Sequence, residues 1–261
     1  MNNIQQRINE INAKGYKLDF SNVFNESIEN YKKIAINAGI AFLLFSIIIG
    51  VFLSSLIGGI FGFSSISTTL TNFSLLNFSA VAIIGYLVAI IFFAGLIQPF
   101  YAGIVKMAFQ ADENQVFSIG TSFEYYKGVH FKEIFIAGVL TTAVGTIFNM
   151  LLETIGIFFV GNLITYLVAF FTFLVNPLII FGNLKAIEAI KTSFIVVTKQ
   201  APVLIGLLFV SLVVCCLGII GLCIGVFFTF PFIFSVYYII YKQIFGIIST
   251  SEINEIGTFQ D

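Results

Sequence analysis

Charge is scarce in this sequence, and so are the residues that carry most acid–base and metal chemistry. Charged side chains make up 10% of its 261 residues, against roughly 25% in an ordinary soluble domain. His130 is the single histidine, which excludes a metal centre built from several imidazoles. A Ser-His-Asp hydrolase would have to use that residue, and no G-x-S-x-G elbow accompanies it. Cys215, Cys216 and Cys223 share one apolar run without C-x-x-C spacing. Met1, Met107 and Met150 lie elsewhere, so a soft-metal site lacks ligands and the thiols read as small apolar fillers. There is no dinucleotide or phosphate-binding glycine motif, and no basic cluster dense enough for nucleic acid. No cofactor, metal site or catalytic residue is expected, and the chain reads as non-enzymatic. The sequence specifies no protein partner.

What it does contain is apolar surface. Hydrophobic residues are 59% of the chain, and 33 are Phe. A folded core cannot absorb that much without lipid, so membrane lipids are the expected partner and the bilayer the solvent. Residues 200–241 carry no charge over 42 positions, enough for two spans of roughly 20 residues each. Residues 34–105 are likewise uncharged, divided by a polar interval at 64–79 in which ten of sixteen residues are Ser, Thr or Asn. Reading these runs together predicts an all-α, polytopic protein of six transmembrane helices in three hairpins. The expected spans are 34–61, 80–108, 134–155, 163–183, 202–224 and 229–246, forming one transmembrane domain over 34–246.

Short amphipathic helices flank these spans. In the N-terminal arm, residues 1–33, Ile4, Ile8 and Ile11 share one face, and Gly15 ends that helix. Phe24, Ile28 and Tyr31 form a second stripe over 21–33. Such stripes suit a helix lying in the membrane surface, or one docked on another cytoplasmic segment. Residues 185–199 form a further interfacial helix, with Ile187, Ile190, Phe194 and Val197 on one face. Residues 247–261 are a short acidic tail. The arm is polar and lacks the apolar region of a cleavable signal peptide, so span 1 is expected to insert as an uncleaved anchor.

Three units repeat this plan. Ser27-Ile-Glu-Asn-Tyr-Lys32 closely matches Ser122-Phe-Glu-Tyr-Tyr-Lys127, and Ser193-Phe-Ile-Val-Val-Thr-Lys199 matches more loosely. Thr121 and Glu124 have capping-box spacing. Each unit places a proline in or near its second span, namely Pro99, Pro177 and Pro231, and Gln98 and Asn176 precede the first two. A proline frees a carbonyl that something else must satisfy. Broken helices of this kind can build a midplane substrate site; the alternative is a packing kink or, for Pro231, a helix start near Thr229. Glu153 is an acidic residue beyond 19 uncharged positions in span 3, and reads as a loop residue or as a pathway group. Gln98, Pro99, Glu153, Asn176, Pro177 and Pro231 are therefore the candidate pathway or kink residues. Gly221 and Gly225 have the spacing of a close helix approach. Asn72-Phe-Ser74 and Asn77-Phe-Ser79 fit the glycosylation pattern.

The run Gln98-Pro-Phe-Tyr-Ala-Gly103, followed by Phe117-Ser118 and Ser122-Phe-Glu-Tyr-Tyr-Lys127, is similar to an uncharacterised family of bacterial six-span integral membrane proteins. That family is related to the membrane domain of glycerophosphodiester phosphodiesterases. Ala186-Ile-Glu-Ala-Ile-Lys-Thr-Ser-Phe194, then Gly218 through Pro231 and Tyr237 to Tyr241, resembles its second half. The phosphodiesterase catalytic domain is absent from this sequence. The resemblance implies a bacterial inner membrane and carries over no functional residues. The expectation is thus an integral membrane protein that handles lipid or supports the envelope; the alternative is a transporter or channel with a pathway lined by proline-broken helices.

All twelve Lys and Arg lie in the arm, at the 2–3 and 4–5 connections or at the end of span 6. Basic loops stay on the cytoplasmic side, so both termini are expected inside. Tags on the two termini should therefore both be shielded in an accessibility assay on intact cells. Opposite accessibility would overturn the arrangement.

Overall fold

The computed structural model describes residues 2–61, 80–221 and 224–246. Cys223, the polar interval at 64–79 with its two glycosylation patterns, and the tail at 247–261 lie outside them. Among the described residues there is no strand, and six helices are long and apolar enough to cross a membrane. The protein is an integral, multi-pass membrane protein. Its outward faces carry exposed Ile48, Phe52, Phe148, Phe159, Phe209 and Ile220, large apolar side chains that lipid would cover.

An arm helix, Asn2–Lys14, ends at Gly15, whose φ of +71° suits a residue without a Cβ. Asp19 then caps the next helix by accepting the Asn22 N–H at 2.7 Å. That helix runs unbroken over Phe20–Phe61. The separate helix expected at 21–33 is therefore the lower part of span 1, because no Gly or Pro interrupts the sequence between them. At about 1.5 Å per residue, its 42 residues are far longer than the hydrocarbon core, so its charged start projects from the membrane. Of the two readings of the apolar stripes in the arm, docking on protein is the one the structure shows. Ile8 and Ile11 of the arm helix are buried, and Tyr16 donates to the Val196 carbonyl at 2.9 Å. Phe24 and Tyr31 pack edge-on against Phe232 of span 6.

Span 2, Ala80–Asp112, stays one helix through Pro99. A 3-10 segment, Ile119–Tyr126, leads to span 3, Phe131–Thr154, with His130 at its start beside the Tyr125 ring. The cap of the 3-10 segment is made by Ser118 with Thr121, not by Thr121 with Glu124; Glu124 pairs instead with Lys106 of span 2. Span 4 is two helices, Phe158–Thr172 and Val175–Ile180. A connecting helix, Ala186–Lys199, precedes span 5, Ala201–Leu217, and a 3-10 turn, Gly218–Gly221. Span 6 is also divided, into Ile224–Thr229 and Phe232–Phe245, with Pro231 as the N-cap of the second part. Span 5 is thus shorter than the sequence predicts and span 6 begins earlier, with Pro231 inside it. The close approach at this turn is backbone to backbone between Gly218 and Gly225. In the connecting helix the buried face is Ala186, Ala189, Ser193 and Val196, while Ile187 and Phe194 are exposed. Only Ile187 and Phe194 of the expected stripe face outward as an interfacial helix requires; Val197 is fully buried and Ile190 packs against the core.

The three repeated segments explain how the hairpins close. Ser27, Ser122 and Ser193 are each fully buried. Tyr31 donates to the Phe228 carbonyl at 2.8 Å and Tyr126 to the Leu96 carbonyl at 2.8 Å. These tyrosines are equivalent in the repeat, and each acceptor lies three residues before a proline, Pro231 or Pro99. In the third unit Val197 takes the tyrosine's place, and Ser193 itself donates to the Phe171 carbonyl at 2.7 Å, in the last turn before the break in span 4. A proline withholds an N–H and opens the preceding turn, while carbonyls at a helix end have no internal donor. Phe228 and Phe171 are such end carbonyls, whereas Pro99 frees the Gly95 carbonyl, and Tyr126 bonds its neighbour Leu96 beside that kink. The first segment serves span 6, the second span 2 and the third span 4, so each hairpin's leading segment grips the preceding hairpin and the first closes the ring on the last. Gly103 permits the second grip, because a Cβ there would strike the Ser122 backbone.

Burial, with a smaller contribution from Tyr101, pushes the Tyr126 hydroxyl up to about 12, so it remains a donor at neutral pH. Tyr31→Phe or Tyr126→Phe should each cost about 0.5–1.5 kcal/mol by removing a hydrogen bond between segments. Thermal unfolding in detergent should show a lowered midpoint for both, and none for Tyr166→Phe, whose side chain is exposed. Unchanged midpoints for all three would refute the capping role.

Candidate functional site

The most deeply buried residues, including Phe100, Ile104, Met107, Leu174, Leu178 and Tyr238, sit toward the end of the bundle where the basic connections gather. At that end Lys242 and Tyr238 both reach Asp112 Oδ2 at 2.7 Å, Asn30 donates to the Ala108 carbonyl at 2.7 Å, and Lys33 donates to the Ala111 carbonyl at 3.1 Å. Arg7 of the arm donates to the Ile244 carbonyl at 2.9 Å. Polar contacts tie the helices together at this end, around a polar cleft lined by Asn30, Lys33, Asp112 and Lys242. Toward the other end the spans expose much of their surface.

Between spans 2, 3, 4 and 6 lies a cavity of about 320 Å³, within the size range of small-molecule sites. Gln98 and Asn176 meet in it, the Asn176 amide donating to Gln98 Oε1 at 2.9 Å. Each stands immediately before a buried proline, Pro99 or Pro177, and those rings pack into the protein while the amides turn to the cavity. Gly138 of span 3 makes room for the Gln98 side chain, which a Cβ would strike. The pair leaves the Gln98 amide nitrogen and the Asn176 oxygen available to a ligand.

Five threonines line the cavity as well: Thr141, Thr142 and Thr146 of span 3, and Thr165 and Thr172 of span 4. Thr141 donates to the Ala137 carbonyl at 2.9 Å and Thr172 to the Val168 carbonyl at 2.7 Å, which satisfies their protons and leaves lone pairs. Thr165 donates both within its own helix and across to the Gly145 carbonyl at 3.3 Å. Tyr101, Phe173, Phe230, Phe234 and Tyr237 form the aromatic wall, with Phe173 and Tyr237 rings 4.9 Å apart and Tyr101 and Phe234 rings 5.2 Å apart. Tyr101 and Tyr237 make no hydroxyl hydrogen bond among the described residues, so two further donors face the cavity. Thr165 and Ala169, both exposed, mark where it opens at the bundle surface.

Of the six candidate residues, the structure brings Gln98 and Asn176 into contact and buries Pro99 and Pro177 directly behind them. Pro231 is buried beside the wall residue Phe230. Glu153 is exposed at the end of span 3 and lines no part of the cavity. Sequence reasoning missed the threonines and Tyr237. Their signal was present: Thr142 and Thr146 are four apart, and Thr165 and Thr172 seven apart, so each pair shares a helical face. Cys215 is buried against Thr229, and Cys216 is exposed on the outer face. Among the described residues no group of His, Cys, Asp and Glu is placed to hold a metal ion.

No family model, curated protein or solved structure matches this chain.

The contact between Gln98 and Asn176 is open to a double-mutant cycle. Leu at either position strands the other amide, whereas Leu at both removes the pair, so the double variant should be less destabilised than the sum of the singles. The coupling expected from unfolding in detergent is about 0.5–2 kcal/mol; strict additivity would mean that the amides do not meet.

Proposed function

We propose that this is a non-enzymatic, lipid-handling protein of a bacterial inner membrane, with both termini cytoplasmic. The observation that carries the reading is the cavity itself, polar but uncharged at Gln98 and Asn176, aromatic along its wall, and open at a lipid-facing surface. An amphipathic molecule fits that gradient, with its polar end at the amides and its chains leaving past Thr165 and Ala169. The lining offers no carboxylate, amine, imidazole or thiol, and its titratable groups are the phenols of Tyr101 and Tyr237. Gathering of the basic connections at one end supports the orientation, and the resemblance to bacterial six-span proteins supports the membrane.

A second reading, a transporter or channel, draws on one observation. Spans 4 and 6 are both interrupted beside the cavity, at residues 173–174 and 230–231, as in helices that form a pathway. In that case the amide pair closes the inner end and its removal changes flux in liposomes.

Mass spectrometry of lipids retained after mild extraction distinguishes the two. Lipid handling predicts a selective, near-stoichiometric lipid that is lost when Ala169→Phe fills the mouth. Bulk lipid in bulk proportions, unchanged by that variant, would remove the support for it.

A further inference from the structure

We propose that the lipid held in this cavity has an uncharged headgroup bearing hydroxyls and ester carbonyls, of the acylglycerol class. The inference rests on the lipid-handling reading above. No formal charge lines the cavity. A phosphate-bearing headgroup entering it would have no Lys or Arg to pair with, and an unpaired charge inside a membrane protein is strongly disfavoured. The Lys residues that could serve are committed elsewhere: Lys106 to Glu124, Lys242 to Asp112 and Lys33 to the Ala111 carbonyl.

The lining instead matches neutral oxygen chemistry. Donors are the Gln98 amide nitrogen and the hydroxyls of Tyr101 and Tyr237, suited to ester carbonyls. Acceptors are the Asn176 oxygen and the lone pairs of threonines whose protons are already given to the backbone, suited to a headgroup hydroxyl. The size agrees. A volume of about 320 Å³ is that of about ten water molecules at roughly 30 Å³ each, enough for a glycerol unit and its ester groups but not for two full chains. The chains would run out between the exposed Thr165 and Ala169.

The test uses the full chain in nanodiscs and a photoactivatable diacylglycerol, with dioleoylglycerol and dioleoylphosphatidylglycerol as competitors. Labelling should map to spans 3 and 4, and dioleoylglycerol should compete at least about tenfold better, equivalent to about 1.4 kcal/mol. Gln98→Leu should weaken labelling, while Ala169→Phe, a change at an exposed position, should abolish it without disturbing thermal unfolding. If phosphatidylglycerol competes equally well, the neutral-headgroup inference is wrong and the lipid-handling reading survives. If labelling is the same in the Ala169→Phe variant, neither lipid occupies the cavity, and both readings fall.

Discussion

A backbone carbonyl with no donor is tolerable at a protein surface in water and costly in a bilayer. This structure is organised around that constraint. Prolines or helix breaks in the second span of every hairpin open such turns, and hydroxyls from Tyr31, Tyr126 and Ser193 bond carbonyls in or beside them. Because each donor comes from the segment leading into a different hairpin, satisfying the backbone also fixes the order of the hairpins. The long first helix follows from this role. Its lower part must reach Phe228 of span 6, and a surface-lying helix hinged at residue 33 would not be held there. The repeated serines, buried in all three units, are the close-packed seats on which these segments rest.

The same breaks shape the cavity. Pro99 and Pro177 face the packed side of spans 2 and 4, which leaves the preceding amides, Gln98 and Asn176, on the opposite side. Their hydrogen bond sets a polar floor where the tightly packed half of the bundle ends. Above it the threonines of spans 3 and 4 keep the walls weakly polar without charge. The proposed neutral amphiphile rests on this lining, which carries no formal charge.

The number and type of spans were legible because hydrophobic runs and sparse charges mark lipid exposure directly. The repeat was legible for the same reason that it matters: Ser and Tyr recur where a hydroxyl is required. The partner of each hydroxyl was not, since nothing local in Tyr31 points to Phe228, 197 positions away. Helix boundaries near glycine failed for a related reason. Gly218 and Gly225 approach through backbone, and an apolar count cannot locate a turn made that way. Of the candidate residues, Gln98 and Asn176 stood out because an amide is conspicuous in an apolar span. The threonines hid because their hydroxyls also serve the backbone, so composition alone gives them no distinct signal. Glu153 stood out by its charge, and lies exposed outside the cavity.

Imaging the protein in a native-lipid nanodisc by electron cryomicroscopy, at a resolution that separates side chains, tests the account most directly. It predicts elongated density entering between Thr165 and Ala169, with its compact end against Gln98 and Asn176. A cavity holding only isolated solvent peaks, or one in which Gln98 and Asn176 stand apart, would contradict it.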